Sequence, residues 1–334
     1  MPAPVSQAVN DTLAMVSDQL ILVTVLLYLA AMICFALELA FGRVRTAAPT
    51  RTRELVGAGG PALPAVDQGM GPGMGTGEGT AGTTRTPPQP AAWAVRAGLA
   101  GVALAWIAWA GNLAGILTRG IAVDRWPWAN MYEFVVAICF AAVTAFLALL
   151  IRQPIRYLGA FVTVTAALGL GFAVLFLHVQ AGPVMPALHS YWIAIHVTAA
   201  IVASGLFIVA GVCAILYLIR RDGRPSVLPA RETLERVAHR AIVISFPIWT
   251  FAVIAGALWA DRAWGRYWGW DPKEVWAFVT WVVYAAYLHA RATAGWRGKA
   301  TMIISLVAFG CLLFNLVGVN IFFSGLHSYA DVPK

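Results

Sequence analysis

The chain has 334 residues, of which 60% are hydrophobic and only 11% are charged. A soluble domain carries about a quarter charged residues, so the composition excludes an ordinary soluble enzyme and indicates that lipid surrounds most of the chain. The formal charge of +8 could indicate nucleic-acid binding, but the Lys and Arg residues lie in short loops between apolar runs. That placement is typical of membrane orientation and argues against a nucleic acid as partner.

Eight apolar runs are long enough to cross a bilayer, which takes about 20 mostly apolar residues per helix. Sixteen of the 23 Lys and Arg residues fall in the loops on one side, which the positive-inside rule assigns to the cytoplasm. We therefore expect an all-α polytopic protein of the cell membrane with both termini outside (N-out, C-out). The predicted spans are roughly 20–42, 93–118, 131–151, 157–178, 191–219, 241–260, 273–292 and 300–323.

Composition divides the chain into three regions. Residues 1–43 are expected to form a tail and the first span, and residues 93–334 a seven-helix membrane domain. Between them, residues 44–92 are dominated by Gly, Pro and Thr, with too little apolar surface to offset the entropy of ordering. We predict a disordered cytoplasmic linker there. The segment 231–240 is expected to form a short interfacial helix that leads into the sixth span.

An aromatic loop between the sixth and seventh spans carries the strongest functional signal. The sequence WGRYWGWDPKEVW occupies 264–276 and brings Trp264, Tyr267, Trp268 and Trp270 within seven residues. An interfacial aromatic belt accounts for one or two Trp at a helix end. A Trp cluster spaced by glycines favours instead a platform that a flat ligand can approach closely.

The sequence Asp-Pro-Lys-Glu directly after the aromatic residues predicts a helix start. Asp271 is the expected N-cap, Pro272 the first helical residue and Glu274 the partner in a capping box. The aromatic loop is therefore expected to be fixed to the beginning of the seventh span.

Basic residues and a second aromatic segment lie on the same side of the membrane. Arg262, Arg266 and Lys273 flank the loop and could pair with ligand carboxylates or serve as ordinary surface charge. The segment 125–134, RWPWANMYEF, adds further tryptophans. Within it, Asn130 is a plausible N-cap for the third span, with a glutamate three residues later in the capping-box position.

Three histidines lie inside or next to apolar spans, where an ionisable residue indicates function. His196 lies five residues past Tyr191, about 8 Å below the outer surface at about 1.5 Å per residue, and His327 follows the last span. His289 lies seventeen residues past Pro272, about 25 Å down the seventh span. His196 and His327 are therefore expected at the level of the aromatic loop, and His289 at a separate inner site.

Two imidazoles over a flat aromatic surface suit a planar metal ring, because haem iron takes axial His ligands. A zinc site would take three or four compact ligands, often with Cys or carboxylate, and the sequence offers no such set. The other three histidines are expected in packing or loop roles, two of them at the borders of the outer loop 179–190. These are His178, His189 and His239.

The stretch GALWADRAWGRYWGWDPKEVWAFVTWVVYAAYLHAR (256–291) resembles the tryptophan-rich WWD signature of haem handling proteins. Its DPKE-W continuation and its downstream LHAR resemble the System II cytochrome c synthase subunit of the CcsA/ResC (CcsB) type. Further agreement comes from PWANMYEF (127–134), SYWIAIHV (190–197) and GLHSY (325–329).

The resemblance implies roles for individual residues. His196 and His327 would be the external axial ligands of haem b. His289 would be the transmembrane ligand of an entry site whose second histidine belongs to a Ccs1/ResB-type partner. The external WWD loop, 256–276, would hold the ring through a core of Trp264, Trp268, Trp270 and Asp271. Arg266 and Tyr267, in the same loop, complete the expected haem-binding set.

The function that the resemblance implies is cytochrome c maturation. Haem would be held in the membrane, presented at the outer platform and attached by thioether bonds to the CXXCH motif of an apocytochrome c. The chain would then be a subunit of a cytochrome c haem-lyase (holocytochrome c synthase). No residue is expected to act as a nucleophile, because the thiols come from the substrate. Two alternatives stay open: a haem exporter or chaperone that serves a separate ligase, and a di-haem membrane electron carrier.

Overall fold

The computed structural model describes four stretches of the chain, 9–42, 91–182, 190–221 and 227–327. The predicted linker, apart from its last two residues, lies outside the described residues, and so does His189. The end of the bundle at which the predicted aromatic loop lies, and which the charge pattern predicts to be extracytoplasmic, is called the outer end below.

The described part of the chain is all-helical, as predicted, and each of its eight long helices overlaps one predicted span. Seven of them, counting short helical turns at their ends, are long and apolar enough to cross a membrane. The remaining helix, α7, carries charged residues in its first and last turns and falls short of that apolarity. The helices are α1 (Asp11–Phe41), α2 (Ala92–Ala122), α3 (Met131–Arg152), α4 (Gly159–Phe176), α5 (Tyr191–Ile219), α6 (Arg231–Trp264), α7 (Pro272–Ala292) and α8 (Lys299–Leu313).

The helices pack as two groups of four that meet where α3 contacts α5. In the first group α1 pairs with α2, and in the second α5 pairs with α6. The buried residues of α2 recur at alternating spacings of four and three, and most of them are small. Gly98, Gly101 and Gly115 are among them. Small residues bring helices close together in lipid, where apolar burial gives no net drive for association.

The sixth helix begins earlier than expected. The segment 231–240, predicted as a separate interfacial helix, is continuous with the span. Its apolar positions at 234, 237, 238, 241 and 242 follow the helical period without a break and are buried. The prediction of two helices is therefore wrong, because no residue in this stretch stops the first one.

The same helix also ends later than expected, so the aromatic loop is shorter than the predicted 256–276. Gly265 takes the left-handed conformation (φ 70°), and its N–H donates to the carbonyl of Asp261 at 2.9 Å. This arrangement is a glycine C-cap. Trp264 is thus the last helical residue, and the loop itself comprises residues 265–271 only.

A buried cluster of charges closes the outer end of the first group. Arg119, 3% exposed, donates to Glu133 at 2.9 Å and to Asp18 at 3.3 Å. Arg125 donates to both carboxylate oxygens of Glu133 at 2.9 and 3.0 Å. Glu133 also accepts the backbone N–H of Ala129 at 2.8 Å. Because every charge is paired and hydrogen-bonded, the cluster is tolerated in the span and holds the turn before α3 in place.

The predicted N-cap of α3 is confirmed. The Asn130 side chain accepts the backbone N–H of Glu133 at 2.9 Å. His178 lies beside the same cluster, 3.0 Å from Asp18 and edge-on to the ring of Tyr132. Its contacts are those of a packing residue.

Replacing Gly205 of α5 by alanine should push α3 and α5 apart. A Cβ atom there would lie 2.6 Å from the backbone carbonyl carbon of Ala141 and 2.7 Å from the backbone nitrogen of Ala142. We expect a loss of about 1–3 kcal/mol, as for other overpacked cores, measured as a lower midpoint of thermal denaturation in detergent. Gly171→Ala in α4 is the matched control, because a Cβ there meets nothing within 4 Å. Equal midpoints for the two variants would contradict this packing.

Candidate functional site

A cleft at the outer end lies between α3, α5, α6, the beginning of α7 and the segment that follows α8. It encloses about 1070 Å³ of empty space, part of it open to solvent. Five of the predicted site residues line this cleft together: His196, Trp264, Tyr267, Trp268 and His327.

His196 is oriented by the backbone of α6. Its ring lies against Gly256, where a Cβ atom would come within 2.7 Å of the imidazole. The Nδ1 atom is 2.7 Å from the carbonyl oxygen of Ala252. Because a carbonyl oxygen only accepts hydrogen bonds, Nδ1 carries the proton and the lone pair lies on Nε2. This is a tautomer in which an imidazole can bind a metal through Nε2.

His327 is oriented by a carboxylate. Its Nδ1 donates to Oδ2 of Asp271 at 2.8 Å, which leaves Nε2 as the nitrogen for metal binding. Asp271 is 7% exposed, and its other oxygen accepts the backbone N–H of Leu326 at 2.7 Å. This approach requires a glycine at position 325, because a Cβ atom on Gly325 would lie 2.4 Å from Oδ1 of Asp271.

The predicted capping box at the beginning of α7 is present. The Asp271 side chain accepts the backbone N–H of Lys273 at 3.2 Å. In return, Oε2 of Glu274 accepts the backbone N–H groups of Asp271 at 3.1 Å and of Gly269 at 2.8 Å. The aromatic loop is therefore tied to α7 at two points, and the same aspartate that caps the helix holds His327.

Trp259, a buried residue of α6 that is 1% exposed, was not among the predicted site residues. Its ring lies beside both histidines, with centroids 6.1 Å from His196 and 5.7 Å from His327. Trp264 lies 4.8 Å from Trp259 and 5.0 Å from His327. Trp259 follows Gly256 by three residues, so the two share a helix face. Both lie within the predicted sixth span, 241–260, so this spacing could have identified Trp259 from the sequence.

A π-helical turn after α8, Phe314–Gly318, is a second feature that the sequence did not reveal. Asn315 and Leu316 of this turn line the cleft. Their carbonyl oxygens accept hydrogen bonds from Nζ of Lys273, at 2.6 and 3.4 Å. The sequence predicted Lys273 as a partner for ligand carboxylates or as a surface charge, and it did not reveal these carbonyl contacts. Single π-helical turns are frequent at functional sites, because they re-aim backbone groups within a helix.

Besides Asp271, three predicted site residues do not line the cleft. The side chain of Trp270 is 69% exposed, on a backbone with φ 56°, and meets Trp268 edge-on at 5.8 Å. The Arg266 guanidinium lies over the backbone of Gly269 instead. His289 is exposed in the last turn of α7, at the opposite end of that helix from the capping box.

The Asp271–His327 contact leads to a prediction about pH. Burial raises the pKa of the Asp271 carboxyl, but hydrogen bonds from His327 and the Leu326 N–H outweigh this and hold the pKa below its ordinary value. Such a carboxyl stabilises the fold above its unfolded pKa of about 4, and this contribution is lost as the pH falls through the folded value. The thermal midpoint of the wild type should therefore exceed that of Asp271→Asn at neutral pH, with the gap closing below about pH 4.

Asp124→Asn is the control for this pH series, because Asp124 is an exposed carboxyl on the same side of the molecule. Its midpoint should follow the wild type throughout. A wild-type midpoint no higher than that of Asp271→Asn at neutral pH, or a gap that does not narrow as the pH falls below about 4, would contradict the assigned hydrogen bonds.

The residues that line the cleft lie within a region that matches a known protein family. A family model described as "Cytochrome C assembly protein" matches residues 128–327. The chain is similar to the cytochrome c biogenesis protein CcsA of Chlamydomonas reinhardtii, with 36% identity over 227 residues, 64% of each chain. It is also similar to CcsA of Synechococcus elongatus, with 32% identity over 285 residues, 70% of this chain and 86% of the relative.

Among solved structures, the chain is similar to one described as cytochrome c haem lyase CcmF. The TM-score is 0.56 at 15% sequence identity, over 91% of this chain and 46% of the CcmF chain. The likeness shows a shared fold. This chain spans less than half of the CcmF chain and 64% of the length of the Chlamydomonas relative.

Proposed function

The chain belongs to the cytochrome c assembly protein family, and we propose that it binds haem b as a substrate and promotes its attachment to apocytochrome c. The protein takes part in cytochrome c biogenesis, as its CcsA relatives do by name. In this proposal the outer cleft holds haem between His196 and His327. The chain then acts as a subunit of a cytochrome c haem-lyase.

The observation that carries the proposal is that both histidines have the same hydrogen-bonding arrangement at Nδ1. Each donates its Nδ1 proton to a fixed acceptor, the carbonyl of Ala252 or the carboxylate of Asp271, and each lines the same cleft. Both rings thereby have the lone pair on Nε2, which is what axial ligation of haem iron requires. The Trp259 and Trp264 rings beside them supply an aromatic wall for a flat macrocycle.

The chemistry of attachment needs little from the protein beyond positioning. Each cysteine thiol of a CXXCH segment adds across one haem vinyl group. A sulfur–carbon bond forms at the inner vinyl carbon, and the thiol hydrogen ends on the terminal one, with no net oxidation or reduction. The histidine of the motif then replaces one axial ligand. The chain contributes by orienting both reactants and by controlling the environment of the iron.

Entry of haem is proposed to occur from the cytoplasmic side. His289 lies at the other end of α7, exposed on the surface of the bundle, where an imidazole from another protein can approach it. We assign that second imidazole to a Ccs1/ResB-type membrane partner. This scheme places both termini and the aromatic loop outside, in the cell membrane, consistent with the basic residues at the opposite loops.

Two other functions use the same cleft. A haem exporter or chaperone would release haem to a separate ligase, and a di-haem electron carrier would retain it. Incubation of the haem-loaded protein and its partner with an apocytochrome peptide separates the three. Covalent haem on the peptide supports the ligase, non-covalent transfer supports the chaperone, and retained stoichiometric haem supports the carrier.

The first test is the visible absorption spectrum of the protein purified under haem-replete conditions. We expect a bis-imidazole spectrum that is weakened or changed in both His196→Ala and His327→Ala, because each variant removes one axial ligand. His178→Ala is the matched control, since that histidine lies on the same side but contacts Asp18. Absence of haem from the wild type, or a spectrum indifferent to both substitutions, would refute the ligand assignment.

A second test concerns the hydrogen bond behind the ligand. Substituting Asp271 by Asn should lower haem affinity by about 10–100-fold, as is typical when the outer partner of a metal-bound histidine is changed. Affinity is measured by haem titration of the depleted protein, with Asp124→Asn as the charge-matched control. Unchanged affinity in Asp271→Asn would show that His327 does not depend on this carboxylate for ligation.

A further inference from the structure

The cleft lining contains polar groups that the two histidines and the aromatic wall do not explain. Trp128 and Asn315 both line it. The indole Nε1 of Trp128 and the side-chain oxygen of Asn315 are buried without a hydrogen-bond partner among the described residues. Asn315 as a whole is only 6% exposed. An unsatisfied buried polar group is destabilising by about 1–3 kcal/mol, so a ligand that forms hydrogen bonds with both groups would gain affinity from them.

Lys273 adds a positive charge to the same lining. Its ammonium group has three N–H bonds, and two acceptors, the carbonyls of Asn315 and Leu316, lie within reach of them. The nearest carboxylates are already engaged. Asp271 accepts from three donors, and Oε2 of Glu274 accepts from two backbone N–H groups. One N–H of Lys273 is therefore available for an acceptor in the cleft.

The chemistry of these groups points to an oxyanion. The Trp128 N–H and the Lys273 ammonium can only donate, so their partner must be an acceptor, and the positive charge favours a negative one. The Asn315 amide can accept from a carboxylic acid proton or, rotated about its last side-chain bond, donate to a carboxylate. All three residues line the same cleft.

We propose that Trp128, Lys273 and Asn315 bind the propionate groups of haem and thereby determine which way round the ring lies in the cleft. The proposal rests on haem being the ligand of this site. Haem carries its two propionates on one edge and its two vinyl groups on the other. Binding of the acid edge here directs the vinyl edge away from these residues, toward the approaching cysteine thiols.

The test compares haem with haem dimethyl ester, which keeps the iron and its axial chemistry but lacks the carboxylates. Both are titrated into the haem-depleted full-length protein in detergent, followed by the Soret absorption. The wild type should bind haem at least about 10-fold more tightly than the ester, the value of one charge-assisted hydrogen bond. In Trp128→Phe, which keeps an aromatic ring but removes the N–H, this preference should fall by about 2–10-fold, with ester affinity unchanged.

Trp126→Phe is the matched control, since Trp126 lies two residues away, is 66% exposed and does not line the cleft. It should leave the preference unchanged. Lys273→Met should reduce the preference for haem over its ester further. If Lys273→Met fails to fold, the result for Trp128→Phe still tests the proposal. Equal wild-type affinities for the two ligands, or a Trp128→Phe change that weakens both equally, would overturn this inference while haem binding stands. A wild type that binds neither ligand would overturn the proposed function itself.

Discussion

The Asp271 carboxylate joins the two chain segments on which the outer cleft depends. It caps α7 through the Lys273 N–H, and it accepts the Leu326 N–H and the Nδ1 proton of His327. Because the carboxylate is buried, each of these hydrogen bonds is needed to compensate for the water it has lost. Asp271 therefore fixes the segment after α8 to the start of α7 and orients the ring of His327, a candidate iron ligand.

The membrane environment explains where the remaining polar groups lie. Charges inside lipid are tolerated when they are paired, and the Arg119–Glu133–Arg125 cluster meets this condition at the outer end. Since Glu133 also holds the Ala129 N–H, the cluster positions the turn that carries Trp128 into the cleft. The first group of helices therefore supports the site, although both histidines belong to the second part of the chain.

The two histidines and the other polar groups of the cleft differ in their hydrogen bonding. Nδ1 of His196 contacts the Ala252 carbonyl, and Nδ1 of His327 contacts the Asp271 carboxylate. Metal-binding imidazoles typically have such a second hydrogen bond, which fixes the tautomer. Nε1 of Trp128 and the side-chain oxygen of Asn315 have no partner among the described residues. In the proposed function the histidines would bind the iron, and the other polar groups would orient the ring.

The helical spans, the capping box at Asp271 and the candidate histidines could be predicted from the sequence, because they follow from local periodicity and short-range hydrogen bonds. The extent of α6 could not, since only the left-handed turn at Gly265 stops that helix. The position of Trp259 beside both histidines, the π-helical turn and the hydrogen bonds of Lys273 arise in the tertiary structure. The hydrogen bond from Lys273 to Asn315 joins residues far apart in the chain, and no local pattern encodes which distant carbonyl a side chain will meet.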